Sequence, residues 1–313
     1  MDPIALHLGP LSIRWYGILI VLGVMLAAYV GSREARRRGE NPEHVWNMLL
    51  IVLVLGIAGA RLYHVFSSPE GGSLGWEYYR QNPLAILQVW KGGLAIYGAV
   101  AGGVLGLWLY TRWNRLPFLR WLDIGIPGVL LAQAVGRWGN FFNQELYGPP
   151  TNLPWGIYIA PANRLPGLEG FSRFHPVFLY ESIYCLIGFL LIMYLARRIG
   201  PLLVEGDVFL MYLIYYPAGR FFIEFMRPDA WRFGGIAAAQ AFALVAVAFG
   251  AVGIFVRHRW LRPKPAAVPV EAPAEGSAAD AVDDSGEAEP CDEATGAPYI
   301  EEETSSEGLS TQE

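Results

Sequence analysis

Charged residues are scarce in this chain: Asp, Glu, Lys and Arg make up 16% of its 313 residues, against roughly 25% in soluble globular proteins. That shortfall argues against an ordinary water-facing surface. A 54% hydrophobic content with 11 Trp and a mean hydropathy of +0.32 point instead to a polytopic membrane protein. Cysteine is nearly absent. Cys185 lies in an apolar run and Cys291 near the C-terminus, so neither a disulfide framework nor a cysteine metal site is expected. There is also no G-x-S-x-G elbow, H-E-x-x-H pair, Walker sequence or Cys/His cluster, which weakens the case for acyl-enzyme, zinc and nucleotide mechanisms. No cofactor, metal or nucleic-acid partner is expected.

What charge there is divides unevenly. Residues 263–313 hold 14 acidic residues against Lys264 alone, which leaves 22 basic and 14 acidic residues in 1–262, a net charge of +8. Rich in Pro, Ala and acid, 263–313 reads as a disordered acidic cytoplasmic tail. Apolar runs of near-spanning length, each needing about 20 residues, fall at 13–32, 45–66, 94–111, 122–142, 176–196, 207–225 and 235–256. They predict an all-α fold of seven transmembrane helices within a domain covering 1–262. The first run is followed by Arg33, Arg36, Arg37 and Arg38 and preceded only by Arg14, the reverse of a cleaved leader. "SREARRRG", "TRWNRLPFLRW", "ARRIG" and "RHRWLRPKP" together hold 13 Lys or Arg. This bias puts those connections in the cytoplasm, the N-terminus outside and the C-terminus inside. Two long segments, 67–93 and 143–175, then fall on the extracytoplasmic side.

With that orientation, polar residues inside the spans can be given depths from a rise of about 1.5 Å per residue. Arg61, Arg137, Arg220, Glu224, Tyr97 and Tyr16 all come out in the outer half. Tyr216, Arg220 and Glu224 follow an i, i+4, i+8 series, and Arg137 with Asn140 forms an i, i+3 pair, so each helix has a polar face. The cytoplasmic halves read as mostly apolar. Arg61 and Arg227 read equally well as anchors snorkelling to headgroups, and Arg220 with Glu224 as a structural ion pair. His7 and His64 read as interfacial or structural residues. Glycines in "LGIAGARLYHVF" and "GGLAIYGAVAGGVLG" are expected at close helix contacts.

Guanidiniums facing the outer leaflet suit a phosphate, because arginine keeps its charge and offers paired donors. A phospholipid headgroup is the natural ligand, and Arg137 is expected in the membrane because its counter-ion is that lipid. A nearby glutamate can take a proton. A transporter or flippase for an anionic lipid or solute is the main alternative, and a noncatalytic membrane scaffold the third.

The stretch "GRWGNFFNQELYG" (136–148) resembles the signature of the prolipoprotein diacylglyceryl transferase family. The similarity extends through "IRWYG" (13–17), "GARLYHVF" (59–66), "GGLAIYGAVAGG" (92–103), "HPVFLYES" (175–182) and "YYPAGRFFIEFMRPD" (215–229). The resemblance implies an enzyme of the bacterial inner membrane, acting toward the extracytoplasmic leaflet. It would move the diacylglyceryl group of phosphatidylglycerol onto the lipobox cysteine thiol of prolipoprotein signal peptides, releasing glycerol phosphate. Arg137 matches the family's phosphatidylglycerol-binding arginine, and Asn140, Glu145 and Gly148 the rest of the signature. Arg220 and Glu224 match its essential arginine and glutamate, and Tyr16 a tyrosine of its amino-terminal block. Tyr216 and Arg61 join the substrate-binding candidates by depth and spacing. Tyr97 stands where some members carry a histidine proposed as the base. A tyrosine is a poor base at neutral pH, so substrate or arginine contact is the other role open to it.

Overall fold

A computed structural model describes residues 3–8, 11–67, 75–228, 232–233 and 236–260. The expected acidic tail and residues 68–74 of the first long loop lie outside the described residues. Every one of the seven apolar runs is a helix. These are α1 (Trp15–Arg37), α2 (Glu43–Phe66), α4 (Ile96–Trp113), α5 (Phe118–Asn143), α6 (Val177–Arg198), α7 (Asp207–Glu224) and α8 (Ala238–Trp260), with a short α3 (Trp76–Gln81) in the loop after α2. By length and composition α1, α2, α5, α6 and α8 can cross a membrane. The other two are shorter, at 18 residues each. Four glycines dilute α4, and Asp207, Arg220 and Glu224 charge α7. The outward faces carry exposed Leu50, Phe222, Val245 and Phe255, as expected of surfaces that meet lipid rather than water.

Local sequence sets the helix ends. Gly206, at φ +99°, turns the chain into α7, and Asp207 in the first turn accepts the Val204 amide at 2.7 Å, where the helix dipole favours an anion. Gln144 closes α5 in the left-handed region at φ 54°. Basic residues occupy the last turns of α1, α6 and α8, again the favourable sign.

Packing follows the small residues. The α2 and α4 backbones touch: a Cβ at Gly98 would collide with the Gly59 carbonyl oxygen, and one at Gly102 with that of Leu55. Helix α5 packs against α1 and α6, and α7 against α6 and α8. Between α6 and α7 two tyrosines cross. The Tyr184 hydroxyl donates to the Tyr215 carbonyl at 2.5 Å, the Tyr215 hydroxyl donates to the Tyr184 carbonyl at 2.9 Å, and their rings stack. Each ring lies over a glycine of the facing helix, Tyr215 over Gly188 and Tyr184 over Gly219.

Small strands escape the hydropathy pattern. A hairpin of β1 (Ile4–Leu8) and β2 (Leu11–Arg14) precedes α1, the short pair β3 (Ile157–Tyr158) and β4 (Arg173–Phe174) lies between α5 and α6, and β5 (Arg232–Phe233) pairs with β6 (Ile236–Ala237). The segment between α5 and α6 has its own small core of Tyr147, Ile159 and Phe174. The Tyr147 hydroxyl donates to the Asn163 carbonyl at 3.0 Å and accepts the Leu165 amide at 2.6 Å.

One expectation is corrected at the arginine-rich end of the bundle. Its helical halves are not simply apolar, since Glu34, Asp123 and Asp207 are buried there. They are satisfied locally. Asp123 accepts the Gly206 and Phe209 amides at 2.7 and 2.9 Å, Glu34 pairs with Arg37 and Arg38 at 2.6 and 2.8 Å, and Asp207 pairs with His258 at 2.8 Å and Arg257 at 3.5 Å. Arg120 bridges Glu40 and Glu205 at 2.7 and 2.5 Å. The pairs tie the ends of α1, α5, α7 and α8 together.

Candidate active site

At the opposite end, charges from three helices converge. Arg137 on α5 places Nη2 2.5 Å from Glu181 Oε1 on α6. Arg220 on α7 places Nη1 3.4 Å from the other oxygen of Glu181 and Nη2 2.6 Å from Glu224 Oε2. Arg227 follows, 3.8 Å from the same Glu224 oxygen. The Tyr216 hydroxyl accepts from Arg137 Nη2 and donates to Glu181 Oε1, both at 3.4 Å. The Glu181 and Glu224 side chains are 3% and 4% exposed, those of Arg137 and Arg220 21% and 16%. The carboxylates therefore lie beneath guanidiniums that retain some access.

The α7 series positions its residues as its spacing predicts, with Tyr216, Arg220 and Glu224 on one face. Glu181 is the residue that sequence reasoning missed, although "HPVFLYES" contains it. Its signal was a lone carboxylate just inside an apolar run, which deserves the same suspicion as an intramembrane arginine. The backbone around it is fixed: the neighbouring Ser182 hydroxyl donates to the Ala134 carbonyl of α5 at 2.7 Å, and the crossed tyrosines join the next turn of α6 to α7. Glu181 supplies Arg137 with a counter-ion from within the protein that the sequence reading did not include.

The signature stretch continues from Arg137 into a shaped turn. Asn140 and Asn143 both donate through Nδ2 to Glu145 Oε1, at 2.9 and 3.1 Å, and the Glu145 amide donates to the Asn140 carbonyl at 3.0 Å. Glu145 itself is exposed. Buried Gln144 accepts the Ala160 amide at 2.9 Å and Asn163 Nδ2 at 3.1 Å, fastening the turn to the following segment. Gly148 donates its amide to the His175 carbonyl at 2.9 Å. A Cβ there would come within 2.8 Å of Val177 and 2.9 Å of His175, so its place is one of close backbone approach. The Tyr16 ring rests on Gly139, where any Cβ would strike it, one turn or less from both Arg137 and Asn140.

Two candidates stand apart. Arg61 is 6% exposed, and its guanidinium donates to four backbone carbonyls: Ile86 at 2.8 Å, Gly92 at 2.7 Å, Gly93 at 3.0 Å and Ala85 at 2.7 Å. It also lies over the Tyr79 ring. Four of its five donors are spent folding the loop between α2 and α4, which is neither headgroup anchoring nor the phosphate contact expected of it. Tyr97 is 57% exposed and packs between the rings of Tyr63 and Phe242; among the described residues its hydroxyl bonds no arginine. No group of three His, Cys, Asp or Glu side chains is placed to hold a metal ion among the described residues.

Between this cluster and the arginine-rich end lies a layer of mostly apolar packing. Ile126, Leu130 and Ile192 are at most 5% exposed and pack with Cys185, Ala134, Ala196 and Val208. Leu130 sits midway along α5 between Asp123 and Arg137.

Comparison with known proteins agrees with this constellation. A family model described as prolipoprotein diacylglyceryl transferase matches residues 3–256. The chain belongs to the prolipoprotein diacylglyceryl transferase family. Proteins named phosphatidylglycerol–prolipoprotein diacylglyceryl transferase are similar throughout. That of Chloroflexus aggregans is 43% identical over 80% of this chain and 87% of its own length. The Symbiobacterium thermophilum protein is 45% identical over 80% and 91%, and the Streptococcus mutans protein 41% over 83% and 96%. Arg137, Glu181, Arg220 and Glu224 all fall inside the region the diacylglyceryl transferase family shares.

Proposed function

We propose that this chain transfers the diacylglyceryl group of phosphatidylglycerol to the lipobox cysteine thiol of a prolipoprotein signal peptide, the first step of lipoprotein maturation. The observation that carries this reading is the pair of guanidiniums, Arg137 and Arg220, brought from two helices to one buried carboxylate. In the reaction a sulfur–carbon bond forms at the glyceryl carbon, the carbon–oxygen bond to phosphate breaks, and the thiol gives up its proton. Negative charge grows on the departing glycerol phosphate. Two fixed guanidiniums in a poorly hydrated site stabilise that charge without reorganising.

Proton acceptance goes to Glu145. Glu224 is held by Arg220 and Arg227, whereas Glu145 is exposed and anchored through one oxygen, leaving the other for the thiol. Tyr16, Tyr216 and Gly148 shape the headgroup site, and Tyr97, exposed among aromatic rings, is assigned to substrate contact rather than to proton removal. The arrangement is read as seven spans of the bacterial inner membrane, with the arginine-rich end cytoplasmic, the cluster toward the outer leaflet, and 263–313 as an acidic cytoplasmic tail. Against a transporter speaks the apolar layer at Leu130, since a transported anion needs polar partners on the way to both faces.

Mass spectrometry of a lipobox peptide incubated with purified protein and phosphatidylglycerol tests this directly. A diacylglyceryl-sized gain on the cysteine, lost in Arg137→Ala, is the expected result. Full transfer by folded Arg137→Ala would overturn the site assignment, and no gain with folded wild-type protein would overturn the activity.

A further inference from the structure

Glu181 has no place in the chemistry just described, yet it is the most connected side chain of the cluster. One oxygen takes Arg137 and Tyr216, the other Arg220. It is buried deeper than either arginine. The geometry points to Glu181 as a positioning residue that sets the spacing of the two guanidiniums and serves as their counter-ion until the substrate phosphate takes over that role. This rests on the transferase reading above.

Several observations combine to support it. Burying two arginines without an anion is costly, so the empty site needs an internal carboxylate. Glu181 holds one donor of each of Arg137 and Arg220, so a phosphate arriving between the two guanidiniums competes with it for those donors. Arg137 meets Glu181 through Nη2 alone, and Arg220 through Nη1 alone. Among the described residues Nε and Nη1 of Arg137 and Nε of Arg220 have no protein partner, so phosphate binding can begin on those atoms before the carboxylate yields. The backbone that presents Glu181 does not share this freedom, being fixed by Ser182 on Ala134 and by the crossed Tyr184 and Tyr215. A carboxylate on a rigid frame can both restrain the guanidiniums and release them by small side-chain movement.

Two variants separate charge from geometry. Glu181→Gln keeps the length and removes the competing charge; Glu181→Asp keeps the charge and withdraws it by one methylene, about the length of a carbon–carbon bond, ~1.5 Å. Binding of glycerol phosphate to the purified full-length protein, followed by 31P NMR, reads the competition, and peptide transfer reads the positioning. Glu181→Gln is expected to bind glycerol phosphate about fivefold more tightly, the low end of ordinary coupling between sites. Its kcat is expected to fall by up to about 100-fold, the effect of misplacing catalytic groups by an ångström. Glu181→Asp is expected to bind within about twofold of wild type and to lose kcat by a similar factor, because it cannot reach both arginines. Unchanged or weaker glycerol phosphate binding in Glu181→Gln overturns the counter-ion role, and wild-type kcat in Glu181→Asp overturns the positioning role. Should Glu181→Gln not fold, Glu181→Asp still decides the second point, and Glu181→Ala, which also removes the charge, decides the first: unchanged or weaker glycerol phosphate binding there overturns it. Lack of transfer by the wild type would sink the transferase reading while the phosphate titration still reports on Glu181.

Discussion

Arginine side chains in this molecule divide by what they donate to. Arg137 and Arg220 each keep donors unclaimed and face a carboxylate they can leave. Arg61 gives nearly all of its donors to main-chain carbonyls of the loop between α2 and α4. Opposite substitution patterns follow. Arg137→Lys retains the charge but loses the planar fork, so kcat for peptide transfer should drop by about 100-fold, as for a misplaced catalytic group, with the melting temperature nearly unchanged. Arg61→Ala removes four charged hydrogen bonds that hold the loop and should cost about 3 kcal/mol of stability. Thermal unfolding in detergent and faster proteolysis between residues 83 and 93 would record it, while the kcat of the surviving folded fraction stays close to wild type. A phosphate-binding role for Arg61 requires the reverse: a large rise in KM without loss of stability. Counting residues along helices placed Arg61 and Arg137 at similar depth and could not distinguish them. The distinction lies in loop carbonyls 24 to 32 residues further along the chain.

Helix pairs carry the next level of constraint. The α2–α4 contact is backbone on backbone, as the glycine spacing in the sequence implies. Gly98→Val should be destabilising by about 3 kcal/mol, the upper range for overpacking, because the obstructing atom is the fixed Gly59 carbonyl; a drop in melting temperature checks it. Across α6 and α7 the contact is aromatic and reciprocal. Tyr184→Phe removes the hydroxyl bond to the Tyr215 carbonyl and should cost about 1 kcal/mol. The same change loosens the frame between Glu181 and Arg220, so kcat should fall more than stability accounts for, a split visible by comparing activity per folded molecule with the melting curve. All seven long helices were legible because apolar runs of this length have few other structures open to them. The hairpin β1–β2 and the pairing of β3 with β4 were not, since strands of five residues or fewer offer too short an alternation to stand out. Glu181 stayed hidden for a different reason: a single charge at the head of an apolar run has no spacing partner on its own helix, and its partners lie 39 and 44 residues away in the chain.

At the scale of the whole molecule, two charged layers sit at opposite ends of one bundle. The layer that ties α1, α5, α7 and α8 is fully occupied by protein partners and reads as a fastening. Asp123→Asn should therefore lower stability by about 3 kcal/mol as the amides of Gly206 and Phe209 lose a charged acceptor, seen as a lower melting temperature, with KM for phosphatidylglycerol unchanged. A raised KM would mean that this end takes part in substrate handling. Family similarity ends at residue 256 and the acid-rich composition begins soon after, so a chain cut after residue 262 should retain transfer at wild-type rates in the same peptide assay. Hydropathy located the body and its boundary. It missed the second charged layer because most of its partners are distant in the chain, as Arg120 is from Glu40 and Glu205 and Asp207 from Arg257 and His258.

Placing ionisable groups at both ends of a bundle invites a hazard peculiar to energised membranes, in which any chain of exchangeable protons becomes a short circuit. Leu130, with Ile126 and Ile192 beside it, breaks that chain. These hydrocarbon side chains carry no exchangeable proton themselves and pack closely with Cys185, Ala134, Ala196 and Val208. The apolar packing of α5, α6 and α7 thus sets the two charged layers of the bundle apart from one another.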